Sequence, residues 1–393
     1  MARQYSARTF LRNTPNDLLK RYFEKRGVRF RVSWIVAHET DVNWILGELE
    51  RLPDALRSSI DSDFRLINDM ACEAGVLALL DKAGVPDDDW PERFAGMRNN
   101  YERAFWAFLT DPQRFRLAGC FHEMDRYGGW RRRFVGVHLE AASDDESLRA
   151  FEQALRQCYR RQGRGRFCHV DYYLRQEPER HCYFAYPEDY ATTELGYDDD
   201  GRFQSRPRRP AFELIFVYRP EEGVLEIHGR GDKKQIAELQ EIFCTHILGL
   251  ERMPDDDGRV PYDLSVLKDR NFPFKTDPED GIAAVEVRLL RLDLPWAPGQ
   301  RGRRRIVLEV TSRDHAGGAL YRLLDEALNT NRLPLHALHV SEARMRFTFE
   351  PVNGERPKTL TFDLRYPDRC TLKDDPHDQI ARKYLRRWGI AHD

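Results

Sequence analysis

The sequence predicts an α+β protein: a helical N-terminal domain followed by two mixed units, each a sheet with helices packed on one face. Three observations predict this class. Apolar residues recur at helical spacing up to about residue 112, strand-like apolar runs begin after Gly129, and a similar order of strands and helices then occurs twice. The predicted domains are residues 1–126, 127–252 and 253–393, and the third is predicted to be a pseudo-repeat of the second.

The N-terminal domain is predicted from apolar residues that recur every three or four positions. Phe64, Ile67 and Met70 belong to one such series, and Trp90 and Phe94 begin another. This spacing places each series on a single face of a helix, and that face packs into a core. We therefore expect a helical domain before residue 127.

The middle domain is predicted from short apolar runs separated by turn residues. Strands are expected at 134–139, 167–174, 181–186, 211–218 and 224–228. One helix is expected to begin at the capping box that Ser143 forms with Glu146 and to end at Gly163. A second helix is expected from Asp232 to Gly249.

The stretch 253–261 is rich in aspartate and proline, so it is predicted to be a linker or an exposed loop. Strands are expected after it at 283–294, 305–311, 338–349 and 359–366, with helices at about 315–329 and 375–389. This order is similar to that of the middle domain, although residue identity between the two is poor. The similarity of order alone predicts the pseudo-repeat.

The composition is that of a chain with a sizeable core. Hydrophobic residues make up 41% and charged residues 33% of the 393 positions, a balance that excludes disordered and membrane-embedded classes. No apolar run approaches the roughly 20 residues that cross a bilayer. The seven cysteines are odd in number and scattered, which favours reduced thiols in a cytosol. We therefore expect a cytoplasmic protein with no membrane partner.

Three short segments carry a resemblance. Residues 183–191 (YFAYPEDYA), 212–218 (FELIFVY) and 366–373 (YPDRCTLK) resemble uncharacterised bacterial cytosolic proteins. The resemblance covers these stretches only. It implies a bacterial cytosolic setting and no particular activity.

Arginine clusters predict a nucleic-acid surface. The formal net charge is −2, so a basic function has to be local. Arginine forks bind phosphates and stack on bases, and aromatic residues such as Trp130 and Phe167 interleave with the clusters. The predicted nucleic-acid-binding residues are Arg131, Arg132, Arg160, Arg161, Arg164, Arg166, Arg303 and Arg304. The alternative is that these arginines lie on exposed faces and pair with the equally abundant acids.

A second basic site is predicted where a strand runs through two glycines into a helix. Gly229 and Gly231 would let backbone N–H groups approach an anion, and Lys233 and Lys234 follow at the helix N-terminus. No complete phosphate-binding motif is present. The alternative is a tight turn capped by Asp232 with solvated lysines.

No metal site, cofactor or catalytic motif is predicted. Cys168 and Cys182, each beside a histidine, would lie about 20 Å apart along paired strands, too far for one zinc ion. The sequence therefore predicts a non-catalytic component that binds nucleic acid or a phosphorylated or protein partner through its arginine clusters. One alternative is a metal-dependent nuclease or nucleotide hydrolase using Glu226, Asp232 and Asp314. Another is a structural subunit of a protein complex.

Overall fold

The fold is described from a computed structural model. The described residues are 5–31, 34, 41–81, 89–176, 178–198, 201–255, 260–295, 304–311, 318–328, 333–351, 356–373 and 375–392. Their packing divides the chain into two compact units. The first comprises residues 1–125, 175–177 and 191–209, and the second comprises 126–174, 178–190 and 210–393. The predicted α+β class is confirmed. None of the helices in the described ranges is long and apolar enough to cross a membrane.

The described part of the chain begins with eight helices. They are α1 (Ala7–Asn13), α2 (Asn16–Lys25), α3 (Asn43–Leu49), α4 (Asp54–Met70), α5 (Glu73–Leu80), α6 (Trp90–Ala95), α7 (Asn100–Thr110) and α8 (Pro112–Arg126). Their core is aromatic: Phe10 contacts Phe64 with ring centroids 4.7 Å apart, and Tyr22 meets Phe105 edge to face at 5.6 Å. Such pairs add to the burial of apolar area. The N-terminal region is therefore helical, as predicted.

The second unit is built on a large antiparallel sheet. Its strands are β1 (Trp130–Phe134), β2 (Val170–Gln176), β3 (Glu179–Ala185), β6 (Leu214–Arg219), β7 (Val224–His228), β8 (Ile282–Asp293), β9 (Arg305–Glu309), β10 (His339–Phe349), β11 (Thr359–Arg365) and β12 (Arg369–Cys370). They lie in the order β2-β3-β6-β7-β1-β12-β11-β10-β8-β9. A separate hairpin pairs β4 (Thr192–Tyr197) with β5 (Phe203–Arg208). The strands of both predicted mixed domains thus join one sheet, where β1 pairs with β12.

The helices of this unit cover opposite faces of the sheet in its two halves. Helices α9 (Asp145–Arg160) and α10 (Lys233–His246) share a core with Ile227 of β7, and Arg131 lies beside Ile227 on the same face. Helices α11 (Ala319–Ala327) and α12 (Pro376–Arg387) share a core with Cys370 and Leu364 on the opposite face. Each half therefore has its helices on one face, as predicted. The domain boundaries and the pseudo-repeat stay predictions.

One predicted strand is wrong. The strand expected at 134–139 begins earlier and ends at Phe134. The chain then turns, because Gly136 and His138 have φ angles of 130° and 52°, outside the extended region. The backbone N–H groups of Val135 and Gly136 both donate to the carbonyl of Gly223. The apolar run after Phe134 thus packs over the β6–β7 turn instead of extending the sheet.

Candidate anion-binding site

The second unit contains a cavity of about 270 Å³ lined almost entirely by charged side chains. We call it the arginine cavity. Its lining residues are Arg132, Pro178, Arg180, Arg219, Glu222, Glu226, Gln379, Arg382, Lys383 and Arg386. Five arginines thus meet around one space within a single compact unit.

Strands and one helix place these side chains together. Arg132 of β1 and Glu226 of β7 are cross-strand neighbours, so their side chains share a face of the sheet. Arg180 is the second residue of β3, and Arg219 ends β6. On α12 the lining residues occupy positions 379, 382, 383 and 386. This i, i+3, i+4, i+7 spacing places all four on one side of the helix.

An ion-pair network lies around the two carboxylates. Arg132 Nη2 lies 2.9 Å from Glu222 Oε2, and its Nε lies 3.2 Å from Glu226 Oε1. Arg219 Nε donates to Glu226 Oε2 at 2.9 Å. Arg386 Nη2 lies 3.2 Å from Glu222 Oε1. Arg219 Nη1 also lies 4.0 Å from Glu222 Oε1. Each glutamate is therefore held by at least two arginines, and both carboxylates are fixed in position.

The surrounding charges keep these buried groups ionised. Burial alone would raise the pKa of Glu226, but Arg219, Arg132 and Arg382 outweigh it and lower that pKa well below its usual range. Burial opposes the charge of Arg132 as well, yet Glu226 and Glu222 outweigh it, and the pKa of Arg132 is raised overall. Burial raises the pKa of Tyr262 to about 12, so its hydroxyl stays protonated. At neutral pH Glu226 and Arg132 are therefore both charged.

Arginine is the commonest residue of the described lining. Lys383 Nζ is bound to Asp280 at 2.7 Å and to Asp277 at 3.2 Å, and neither acid lines the space. The other charged residues of the described lining are five arginines and two glutamates. Guanidinium groups are strong hydrogen-bond donors to carboxylate and phosphate oxygens.

The side chains of the predicted residues Arg131 and Arg132 lie on opposite faces of the sheet. Arg132 belongs to the arginine cavity, whereas Arg131 lies on the opposite face, 3.0 Å from Asp368. Arg131, Arg133 and the predicted anion-binding residue Lys233 line a smaller cavity of about 90 Å³ beside α10, and Arg132 borders this cavity as well.

Arg369 lies next to Arg131 on this face. It is the cross-strand neighbour of both Arg131 and Arg365. Burial, followed by repulsion from Arg131 and Arg365, lowers the pKa of Arg369. Gly129 provides space here, because a Cβ atom at this position would lie 3.0 Å from Arg369 Nη2.

The other predicted arginines lie elsewhere. Arg161 pairs with Glu238 at 2.9 Å. Arg164 pairs with Asp189 at 2.8 Å, and its guanidinium lies 4.5 Å from the ring centroid of Phe212. Arg160, Arg166 and Arg304 are exposed, and Arg303 lies outside the described residues. Those among them that the structure describes do not line the arginine cavity, and the role of all of them in nucleic-acid binding stays a prediction.

The glycine junction before α10 has a structural explanation. Asp232 caps the helix, since the Gln235 N–H donates to its Oδ1 at 2.8 Å. A Cβ atom at Gly229 would lie 2.4 Å from Leu214 Cδ2, and one at Gly231 would lie 3.1 Å from Gln235 Oε1. Lys234 is exposed. The alternative of a turn capped by Asp232 is confirmed, and anion binding by Gly229, Gly231, Lys233 and Lys234 stays a prediction.

The two described residues of the enzyme alternative, Glu226 and Asp232, each have a structural role. Glu226 is held between Arg132 and Arg219, Asp232 caps α10, and Asp314 lies outside the described residues. Within the described ranges, no group of three or more His, Cys, Asp or Glu side chains could hold a metal ion.

Sequence reasoning did not place Arg180, Arg219 and Arg382 in the site. Arg180 and Arg219 lie outside the arginine clusters of the sequence. Each reaches the cavity from a different strand. One signal was available: Glu226 interrupts an otherwise apolar strand core, and a buried carboxylate needs cationic partners.

No protein-family model matches the chain, and no curated protein matches it. Function is therefore inferred from the geometry of the arginine cavity.

Proposed function

We propose that this chain is a non-catalytic binding component whose arginine cavity holds a phosphate-bearing ligand, with nucleic acid as the ligand class. The observation that carries the proposal is the convergence of five arginines, from three strands and one helix, on one cavity. Arginine presents several N–H donors in a planar fork that matches phosphate oxygens. A phosphate in this space would accept hydrogen bonds from guanidinium groups on several sides.

Access to the cavity supports binding from solution. Side-chain exposure rises from 5% at Arg132 to 15% at Arg219 and 41% at Arg386. The sheet residues thus form a buried floor, and α12 lies nearer the opening. The affinity for phosphate at such an opening would fall with increasing salt concentration, as it does in nucleic-acid binding generally.

The state of the carboxylates favours binding over catalysis. A general base works best with a pKa near the working pH. Glu226 has its pKa lowered well below the usual range by its arginines, so it is a poor proton acceptor at neutral pH. Glu222 is held by Arg132 and Arg386. The two acids therefore serve to position arginines.

The experiment measures binding of labelled single- and double-stranded DNA and RNA across a salt series. We expect log affinity to fall linearly with log salt, because phosphate contacts release counterions. Arg386→Gln should weaken binding and reduce the slope by about 0.7–0.9, the value for one phosphate contact.

Arg387→Gln is the matched control. Arg387 is the next residue of α12, is similarly exposed and pairs with Asp277 at 2.7 Å, outside the cavity lining. Its replacement should leave affinity and slope at wild-type values. Absence of binding even at low salt, or equal loss in both variants, contradicts the proposal.

A further inference from the structure

The β4–β5 hairpin forms a sheet of its own within the first compact unit. Its order is β4-β5, and no third strand joins it in the described ranges. All six residues of β4 are exposed, and so are five of the six residues of β5. A hairpin of two strands is only marginally stable, and further strands commonly stabilise it. The outer edge of each strand is therefore open to another strand.

The hydrogen bonds of the hairpin show which backbone groups of β4 point away from β5. The Asp198 N–H donates to the carbonyl of Arg202 at 3.0 Å, so these two residues form a hydrogen-bonded pair. Bonded and non-bonded pairs alternate along an antiparallel ladder, and Leu195 and Ser205 are the third pair beyond. The N–H and C=O groups of Leu195 therefore point to the outer edge. The same holds for the residues two positions before and after it.

The two outer edges differ in their capacity to accept a strand. Pro207 occupies an outward position of β5, where its missing N–H leaves a gap in the row of donors. Proline and charged residues at such positions are common devices against edge-to-edge pairing. The outward residues of β4 are Thr193, Leu195 and Tyr197, which all have an N–H group and carry no charge. The edge of β4 is therefore the one suited to pairing.

Charge is distributed unevenly along the hairpin. Asp198 lies at the turn, and two further aspartates follow it in the sequence. At the other end Arg208 is the cross-strand neighbour of Thr192, and Arg209 comes next in the sequence. Arg208 pairs with Glu194 at 2.9 Å, and both side chains are more than half exposed. Two hairpins side by side in antiparallel orientation would bring unlike ends together, whereas a parallel orientation would bring like ends together.

We infer that β4 pairs in antiparallel orientation with β4 of a second copy of this chain, so that two hairpins form one four-stranded sheet across a twofold axis. Leu195 lies on the axis and faces its counterpart, and Thr193 faces Tyr197 of the second copy. These are the outward residues of both strands, so they exchange backbone hydrogen bonds. Glu194 faces Gly196, and no like charges are directly opposed. The contact uses the same surface twice and closes as a dimer.

The apolar side chains of the hairpin support this pairing. Leu195 and Tyr197 share one face of the hairpin with Phe203, because side chains alternate along a strand. The rings of Tyr197 and Phe203 lie 5.6 Å apart, yet the two residues are 74% and 62% exposed. Pairing through β4 would place two such faces side by side. Each Leu195 would then lose exposed area against the other, which the hydrophobic effect favours.

Sedimentation equilibrium of the full chain over a range of concentrations tests the inference. We expect the wild type to reach twice the mass of one chain. Leu195→Lys should raise the Kd of the dimer at least tenfold, because it places two like charges across the axis. Ser205→Lys is the matched control, since Ser205 is the cross-strand neighbour of Leu195 and points to the other edge. Its dimer should have the wild-type Kd.

Two further variants test the edge and the register. Leu195→Pro should also weaken the dimer, because it removes an outward N–H and no hydrogen bond of the hairpin. Leu195→Cys should form a disulfide-linked dimer under mild oxidation by diamide, since Cα atoms of a hydrogen-bonded pair lie about 5.5 Å apart. Ser205→Cys should not cross-link above the wild-type level.

Three outcomes would overturn the inference. The first is a wild type that stays monomeric at every concentration, which would leave the edge of β4 to a strand of another protein. The second is a dimer that survives both Leu195→Lys and Leu195→Pro, or that Ser205→Lys weakens equally. The third is equal cross-linking of Leu195→Cys and Ser205→Cys. The inference does not depend on the proposed function, and none of these outcomes bears on ligand binding by the arginine cavity.

Discussion

Arg131 and Arg132 are consecutive residues of β1, yet their side chains lie on opposite faces of the sheet. Arg131 is the cross-strand neighbour of Ile227 and pairs with Asp368 at 3.0 Å. Arg132 is the neighbour of Glu226 and pairs with Glu222 at 2.9 Å. Because side chains alternate along a strand, a cluster that is continuous in sequence contributes to two separate sites. The arginine cavity uses only the second of these residues.

Replacing the buried carboxylate of Glu226 should destabilise the fold. In Glu226→Gln, Arg132 and Arg219 lose their shared anionic partner, and removing one member of a buried pair costs about 3–5 kcal/mol. Urea unfolding measures this loss. The control is Glu309→Gln, because Glu309 is 53% exposed and pairs with Arg344 at the surface. That change should cost at most about 1 kcal/mol, and similar losses in the two variants would contradict the account.

Gly223, in the β6–β7 turn, should not tolerate alanine. Its φ angle is 65°, and a Cβ atom would lie 2.8 Å from the backbone of Gly136 and Val137. Gly249 has the same φ angle with nothing within 4 Å of a Cβ atom. Gly249→Ala should therefore cost about 1–2 kcal/mol from backbone strain alone, and Gly223→Ala about 1–3 kcal/mol more from overpacking. Denaturant midpoints compare the two, and equal shifts would show that the close approach is unimportant.

Stability should decrease at mildly acidic pH because of His228. Its ring stacks on Tyr127 with centroids 4.3 Å apart. Burial, and then the charge of Arg369, lower its pKa below the usual 6.5. Below pH 6.5 the unfolded chain therefore binds a proton that the folded chain does not. The free energy of unfolding then decreases as the pH is lowered, until the pKa of His228 in the folded chain is reached.

The comparison of His228→Gln with wild type between pH 7.5 and 5 isolates this effect. The variant should show a shallower decline in the urea midpoint, because it lacks the group that binds the extra proton in the unfolded chain. His169→Gln is the control, since the side chain of His169 is 69% exposed. An unchanged pH dependence in His228→Gln would contradict the role of His228.

Much of the sheet was predictable from local pattern. The strand expected at 224–228 has those bounds, and the strand expected at 338–349 begins one residue later. Both are apolar runs with clear ends. The β4–β5 hairpin had no predicted counterpart, because Leu195, Tyr197 and Phe203 are exposed and its second strand contains Pro207. A strand that buries few of its residues gives a weak apolar pattern.

The candidate site was predictable only in part. Arg132 belonged to a visible cluster, but Arg180, Arg219 and Arg382 reach the same cavity from distant parts of the chain. Their meeting depends on the order β3-β6-β7-β1 and on the placement of α12, which are long-range features. A single sequence shows charges and local elements. It does not show which strands become neighbours.

The most direct test of anion binding by the arginine cavity is the unfolding midpoint as inorganic phosphate replaces chloride at constant ionic strength. A ligand that binds only the folded state stabilises it by RT ln(1 + [L]/Kd), about 2.7 kcal/mol at one hundred times Kd. We predict that phosphate raises the midpoint of the wild-type protein and of Arg387→Gln, and raises that of Arg180→Gln much less. An equal rise in all three proteins, or no rise in the wild type, would contradict the claim that this cavity binds phosphate.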